Sequence, residues 1–306
     1  MAKTALLFSG QSSQYQGMGK ELLALFPELE YIYTIGSELV GFDLKKTCFE
    51  GSDVTLSKTE IAQPAIFATS ILAYEAVKKL GITVDMVAGH SLGEYAAMVC
   101  SGMLSLEDGF KIIKARAEAM GRCANAQNSA MCAVLGLPSD EIASICESID
   151  AYVIPVNYNS PAQTVIAGES EAVEAAMAKF SEMGNRTIKL AVSAAFHSKL
   201  MQSGADEFTS TIREFHFSAP NVDFFSNVSG EKLDDFSDMV SYLGKHLVSP
   251  VRFVDELNAM QTAGATRFIE CGPNKVLTGL VKKTLSDITA FNVENEKTFL
   301  KLKESL

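Results

Sequence analysis

The stretch Val84-Asp85-Met86-Val87-Ala88-Gly89-His90-Ser91-Leu92-Gly93 decides how this chain is read. It begins as a short apolar run of strand character, turns sharply at Gly89 and leads into Leu92 to Cys100, a helix-prone stretch. Within it, Gly89-His90-Ser91-Leu92-Gly93 is a G-x-S-x-G sequence, and the strand-turn-helix setting is the one a nucleophile elbow requires. The spacing alone is weak, so the setting carries the weight. Glycines two before and two after the serine permit a strained turn. The serine then stands at a helix N-terminus, where the dipole and free N–H groups favour negative charge. A serine that merely caps a strand-to-helix turn is the simpler account, since serine is a favoured N-cap, but the nucleophile reading is ahead of it.

Outward from the elbow, Ala5-Leu6-Leu7-Phe8 reads as a buried strand entering the polar loop Ser9-Gly10-Gln11-Ser12-Ser13-Gln14. Helices are expected around Lys20 to Leu25 and from Pro64 to Leu80, the second stopped by Gly81. Strands alternating with helices favour a parallel sheet whose sites lie beyond the strand carboxyl ends, which puts the loop after Phe8 and the turn after Ala88 on one functional edge. From Asn125 to Leu190 the rhythm changes: strand Met131–Leu137, helix Ser139–Ser148, strand Tyr152–Val156, strand Gln163–Ala167, helix Glu169–Met183, strand Arg186–Leu190. That β-α-β-β-α-β order is ferredoxin-like. The fold class is therefore α/β: a larger, α/β-hydrolase-like domain with a mainly parallel sheet (1–124 and 191–306) and an inserted ferredoxin-like subdomain (125–190). Arg267–Glu270 is a further strand of the larger unit, ahead of Cys271-Gly272-Pro273.

Composition narrows the function classes. With 306 residues, 47% hydrophobic and 21% charged, the chain can bury a real core and is not disordered. Its net charge of −11, from 26 Lys and Arg against 37 Asp and Glu, argues against a nucleic-acid surface. No segment approaches the roughly 18 apolar residues of a membrane span, and the opening MAKTALLFSG has too short an apolar run for a signal peptide, so a cytoplasmic protein with no membrane partner is expected. Cys48, Cys100, Cys123, Cys132, Cys146 and Cys271 are scattered without a CxxC or Cys/His cluster, which suggests buried free thiols and no metal site.

A serine nucleophile needs a base, and histidine is the usual one. His90 adjoins the serine and reads as a packing or hydrogen-bonding residue. His216 reads as a solvent-facing or strand position, and His246 as a cation in the last turn of a helix. His197, in Ser193-Ala194-Ala195-Phe196-His197-Ser198, lies where the inserted subdomain hands the chain back, a junction that makes a cleft. It is the favoured base. No third member follows from spacing, and a backbone carbonyl can orient an imidazole as well as Asp can.

These motifs resemble the malonyl-CoA:acyl carrier protein transacylases and the related acyltransferase domains of polyketide synthases. The resemblance runs in collinear order through Phe8–Gln14, Gly89–Tyr95, Pro155-Val156-Asn157-Tyr158-Asn159-Ser160-Pro161, Ala195–Met201 and Glu270–Leu277, nearly the whole chain. It implies Ser91 as nucleophile, His197 as base, and a backbone carbonyl in Ser249-Pro250-Val251-Arg252, that of Arg252, to hold the histidine. It also implies an oxyanion hole from the N–H groups of Gln11 and Leu92. Arg116 matches the arginine that pairs with the malonyl carboxylate. By itself that residue reads as a solvated helix charge. Gln63, Phe196, Asn157 and Asn159 match pocket positions, and Phe196 before His197 matches malonyl-selective members.

An oxyanion donor is typically worth about 3 kcal/mol, and a bidentate guanidinium left unpaired by an acetyl group would reject it. The chain departs from the family pattern at Ser9, Ser12 and Ala117, where Pro, Gly and Gly are usual. Ser12 matters most if that position needs a positive φ.

The resemblance implies a ping-pong transfer from malonyl-CoA to the phosphopantetheine thiol of acyl carrier protein, with no metal or redox cofactor, by a monomer. Lys275, Lys282 and Lys283 are candidates for docking the anionic carrier. A trans-acting enzyme loading a polyketide synthase would share this chemistry. An α/β-hydrolase-type esterase would leave Arg116 and the subdomain without a role, and a non-catalytic carrier-protein binder would lack Ser91 or His197.

Overall fold

The computed structural model describes residues 3–190, 192 and 194–306. Ser193 and Ala191, and with Ala191 the expected return to the larger unit, lie outside the described residues.

The apolar runs become strands. β1 (Lys3–Phe8), β2 (Met86–Gly89), β7 (Asp223–Phe224), β8 (Ala265–Cys271) and β9 (Thr289–Val293) form one parallel sheet in the order β7-β2-β1-β8-β9. Alternation along β1 sends Leu6 and Phe8 into one core, and Ala5 and Leu7 into another on the opposite face. Both faces are covered, as a parallel sheet demands. The first core is shared with the helices Thr59–Lys78 and Leu106–Asn125, the second with Phe253–Thr262 and Val276–Thr284.

Chain order runs outward from β1 in both directions, so β1 is the switch point where a crevice opens. Phe8 pairs with Gly89 on one side and Cys271 on the other. The segments after these three strands thus leave the sheet at one level, and β7 ends at the same edge two residues short of it, with Phe224 opposite Val87.

The second sheet contains β3 (Ser129–Leu135), β4 (Val153–Ser160), β5 (Gln163–Glu169) and β6 (Arg186–Lys189), all antiparallel, in the ferredoxin-like order β4-β5-β3-β6. Helices Ser139–Glu147 and Ser170–Glu182 cover one face through Ile142, Cys146, Val173 and Phe180. Met131, Ala133, Val156 and Val165 on the other face join the main core. The β4 backbone reaches back to the larger sheet's loops: Val251 N–H donates to the Val156 carbonyl at 2.7 Å, and Tyr158 N–H to the Val251 carbonyl at 2.9 Å.

One expected helix differs. The segment read as starting at Pro64 begins at Thr59 and runs to Lys78, with Pro64 in its second turn. Proline usually marks a helix start because it lacks an N–H; here fourteen buried side chains hold the helix despite that loss. All six cysteines are free and buried, and burial pushes the Cys48 and Cys146 thiols up to about 12. Among the described residues no helix is long and apolar enough to cross a membrane.

The elbow glycines are required by space. A Cβ on Gly93 would run into the Phe8 carbonyl, and one on Gly89 into the Gly93 backbone. Gly93→Ala should therefore cost about 3 kcal/mol in chemical denaturation, because the clash is with backbone that cannot rotate away; a loss under 0.5 kcal/mol would show that β1 and the elbow are not in contact.

Candidate active site

Ser91 sits between β2 and the helix Gly93–Cys100 at φ 54, in the left-handed region that a non-glycine residue occupies only when its surroundings hold it there. Its Oγ lies 2.7 Å from His197 Nε2 and receives a hydrogen bond from Arg116 Nη2 at 3.0 Å. The loop Ser9–Gln14 closes over the elbow so tightly that a Cβ on Gly10 would come within 2.7 Å of the His90 carbonyl.

His197 is also left-handed, at φ 63, and is only 2% exposed. Its Nδ1 faces the carbonyls of Ser249 at 3.1 Å and His246 at 3.2 Å. Two acceptors leave Nδ1 no role but the protonated one, so Nε2 presents its lone pair to the Ser91 hydroxyl. Here the structure corrects one expectation. The resemblance implies the Arg252 carbonyl as the one that orients the histidine, but Arg252 caps the helix Phe253–Thr262 and its carbonyl accepts from Glu256 N–H. The carbonyls in reach are those of Ser249, three residues earlier in the same segment, and of His246 in the preceding helix; the Val251 pairing with β4 holds the Ser249 end in place.

Burial, reinforced by the nearby Arg116 and His90, pushes the His197 imidazole down to about 3. The ring is therefore neutral at physiological pH and available as a base.

Arg116 is 1% exposed and lies over the Tyr95 ring at 5.2 Å, on the helix Leu106–Asn125. Among the described residues no carboxylate lies within ion-pair distance, and its Nε has no partner. Burial lowers its guanidinium below the usual arginine value, but a residue of this type stays protonated. A buried cation with free donors, aimed at a serine oxygen, is a seat for an anion.

The N–H groups of Gln11 and Leu92 find no acceptor among the described residues, whereas the neighbouring Ser91 N–H donates to Asn227 Oδ1 at 2.7 Å. Gln63, fully buried, points Nε2 toward Gln11 Oε1 at 3.4 Å and Met120 Sδ at 3.6 Å, and its own Oε1 is unpartnered. Phe196 is buried beside His197. Asn159 Oδ1 meets His90 Nε2 at 2.8 Å. Asn157 and Asn159 line a 160 Å³ cavity with Gln11, His90, Val165 and Leu280, between the two sheets. Ser12 does take a positive φ, 79, so the departure from glycine is strained, and the residue is exposed with its N–H capped by the Gln14 side chain.

The other three histidines are placed by their contacts and exposure. His90 is a hydrogen-bonding residue and His216 is exposed. His246 does lie in the last helical turn, but it is buried and held well below the ordinary histidine value, so it is a neutral ring and not a capping cation. Sequence reasoning missed Asn227, Glu94 and Glu256, which meet behind the elbow. Asn227 follows the short run Val222–Phe225, and its place beyond a strand carboxyl end was the available signal.

A serine at a strained strand-to-helix turn, hydrogen-bonded to a neutral imidazole and to a buried guanidinium, has the form of an acyl-transfer centre on an α/β scaffold. The chain belongs to the acyl transferase family and within it to the malonyl CoA-acyl carrier protein transacylases. The family described as the acyl transferase domain matches residues 5–301. The chain is 38% identical over 302 residues to a malonyl CoA-acyl carrier protein transacylase of Bacillus subtilis (strain 168), spanning 97% of this chain and 95% of that relative. It is similar to the crystal structure of such a transacylase from Clostridium perfringens ATCC 13124, at 37% identity and TM-score 0.94, over 99% of this chain and 97% of that one. A malonyl-transacylase solved in complex with a type II PKS acyl-carrier protein is similar along its whole length, at 31% identity and TM-score 0.95.

The low imidazole value gives a direct check. Because the folded pKa of His197 lies below the unfolded one, the free protein binds fewer protons than the unfolded chain between about 3 and 6.5, and the ring stays uncharged across that window. Nitrogen-15 NMR of His197 should show the neutral Nδ1–H tautomer from pH 8 down to pH 5; a titration midpoint near 6.5 would contradict the geometry.

Proposed function

We propose that the protein moves a malonyl group from malonyl-CoA to the phosphopantetheine thiol of an acyl carrier protein, by way of a malonyl ester on Ser91. His197 Nε2 takes the hydroxyl proton as Ser91 Oγ attacks the thioester carbonyl. The N–H groups of Gln11 and Leu92 receive the oxyanion, and the proton passes from His197 to the departing CoA thiolate. In the second half His197 deprotonates the carrier thiol, whose sulfur attacks the ester, and the proton returns to Ser91 Oγ. No metal or redox cofactor takes part in this sequence.

The observation that carries the reading is the buried guanidinium of Arg116, without a carboxylate partner among the described residues and 3.0 Å from Ser91 Oγ. A malonyl carboxylate supplies the missing charge and an acetyl group does not, so selectivity follows from the same residue. Gln63, with Oε1 and Nε2 poorly satisfied, lies beside Gln11, and Phe196 is buried next to His197 in the chain. Asn157 and Asn159 line the cavity that leads away from the elbow and suits the narrow arm of CoA or phosphopantetheine. The sequence relatives and the transacylase with its PKS carrier protein support an acyl carrier protein as the partner, and a polyketide carrier is the alternative acceptor. On this reading the enzyme works as a cytoplasmic monomer of two units, 1–124 with 191–306 and 125–190.

Lys275 is exposed at the start of the helix whose Val276, Leu277 and Leu280 line the cavity, and Lys282 and Lys283 are exposed in its last turn. They form the candidate docking patch for the acidic carrier. Lys275→Glu should slow transfer to the carrier in a way that grows as salt is lowered, while acylation by malonyl-CoA is less affected; unchanged, salt-independent carrier kinetics would remove that patch from the account.

Mass spectrometry after mixing with malonyl-CoA should find one malonyl adduct on Ser91, absent from Ser91→Ala. Arg116→Ala should lose malonyl transfer by about 2–5 kcal/mol, roughly 30-fold or more in kcat/KM, with acetyl use relatively enhanced. An adduct elsewhere, or an unaltered preference for malonyl, would contradict the assignment.

A further inference from the structure

The polar cluster behind the elbow has no part in the reaction sequence above, yet it touches both members of the dyad. Asn227 is fully buried and grips the elbow on both sides of the nucleophile. Its Oδ1 accepts from Ser91 N–H at 2.7 Å, and its Nδ2 donates to the Gly89 carbonyl at 2.7 Å and to Glu256 Oε2 at 2.8 Å. Its own N–H donates to the Glu94 carboxyl, and its carbonyl accepts from Arg252 N–H. His246 Nε2 stands 3.4 Å from the same Oδ1, and the His246 carbonyl is one of the two that receive His197 Nδ1–H. Nucleophile backbone and base ring are thus joined through two buried residues.

We propose that Asn227 is a positioning residue for acyl transfer. Its amide holds Ser91 in the left-handed conformation and, by taking up the Ser91 N–H, leaves the Leu92 N–H as the elbow's free donor. The orientation of the amide is forced, because Nδ2 faces a carbonyl and a carboxyl while Oδ1 faces an N–H. No other side-chain type of this size offers two donors on one side and an acceptor on the other. The inference deepens the proposed function and rests on it for the identity of the acyl group only.

The groups facing Asn227 are Glu94 from the elbow helix, Glu256 from the helix Phe253–Thr262, and Tyr242 and His246 from the helix Met239–Val248, with His197 and Arg116 beyond Ser91. Burial raises both carboxyls, Glu94 to about 8, raises Tyr242 and lowers His246. Replacing the amide by a carboxyl in Asn227→Asp removes the donors. As a carboxylate it would confront the Gly89 carbonyl and Glu256; once protonated it regains one O–H donor beside its acceptor oxygen.

The test is single-turnover labelling of Ser91 in the full chain with two probes, a fluorophosphonate and malonyl-CoA, read by mass spectrometry at pH 8 and pH 5.5 with circular dichroism at each pH. Relative to wild type at the same pH, Asn227→Asp should label at least tenfold more slowly at pH 8 and recover most of that loss at pH 5.5. Asn227→Ala should be slow at both, and the KM for malonyl-CoA should change little in either. A residue that only stabilises the fold would shift the melting temperature and leave the pH profile alone. Folded variants that label at the wild-type rate at pH 8, or an Asn227→Asp loss that does not recover at pH 5.5, overturn the proposal. If neither variant folds, Asn227→Ser decides by the same measure: a tenfold loss supports the role and a wild-type rate overturns it. Wild-type protein that takes the fluorophosphonate but not malonyl would refute the proposed function alone, leaving the role of Asn227 to the fluorophosphonate arm.

Discussion

A positive charge is buried at Arg116 with no carboxylate in ion-pair distance among the described residues, and much of the site follows from that constraint. An uncompensated ion in a protein interior costs several kcal/mol, so its neighbours must not add to the charge. A carboxyl that feels this charge, on Glu94, is pushed up to about 8 by burial and is largely neutral at physiological pH. The imidazoles of His197 and His246 are held down by burial and by the guanidinium itself. On the proposed reading, the ion that prepares a seat for an acidic acyl group also adds to burial in keeping His197 uncharged before substrate arrives.

That coupling gives the proposed reaction a second source of selectivity. Arg116 disfavours the imidazolium that must form as Ser91 attacks. When a malonyl carboxylate pairs with the guanidinium, the repulsion is screened and His197 moves back toward its ordinary value, so proton transfer becomes easier with the right acyl group in place. An acetyl group leaves the repulsion intact. Discrimination then acts on the transition state as well as on binding, which is where it raises the rate of the correct reaction.

The two sheets divide the labour of holding this arrangement. The parallel sheet delivers the segments after β1, β2 and β7 to one edge, which brings Gln11, Ser91 and Asn227 together. The antiparallel sheet holds the base indirectly, since β4 fixes Val251, and the backbone just before it supplies the Ser249 carbonyl to His197 Nδ1. Neither sheet alone positions both the nucleophile and its base.

Much of this was legible in the residues. The apolar runs at Ala5–Phe8 and Met86–Ala88 announce parallel strands, the change of rhythm after Asn125 announces the ferredoxin-like order, and Ser91 is readable because glycine spacing and a strand-to-helix setting coincide. His197 stands out only by its place at the junction, and Arg116 only by resemblance, since nothing local distinguishes a buried arginine from a solvated one. Glu94 and Glu256 were illegible, and Asn227 had only its place beyond a strand end to mark it, for a physical reason: their contacts join residues up to 138 positions apart, and each residue type has an ordinary surface role. The Arg252 misplacement has the same origin, because which carbonyl faces an imidazole depends on the path of the backbone, and here the Arg252 carbonyl is taken up by the helix it caps.

The most direct test of the central claim is a crystal structure of the protein after reaction with malonyl-CoA. The account predicts an ester on Ser91 Oγ whose terminal carboxylate lies within about 3 Å of the Arg116 guanidinium, which has left the serine oxygen, with the ester carbonyl toward the Leu92 and Gln11 N–H groups. A carboxylate directed to solvent or to another cation, with Arg116 still against Ser91, would contradict it.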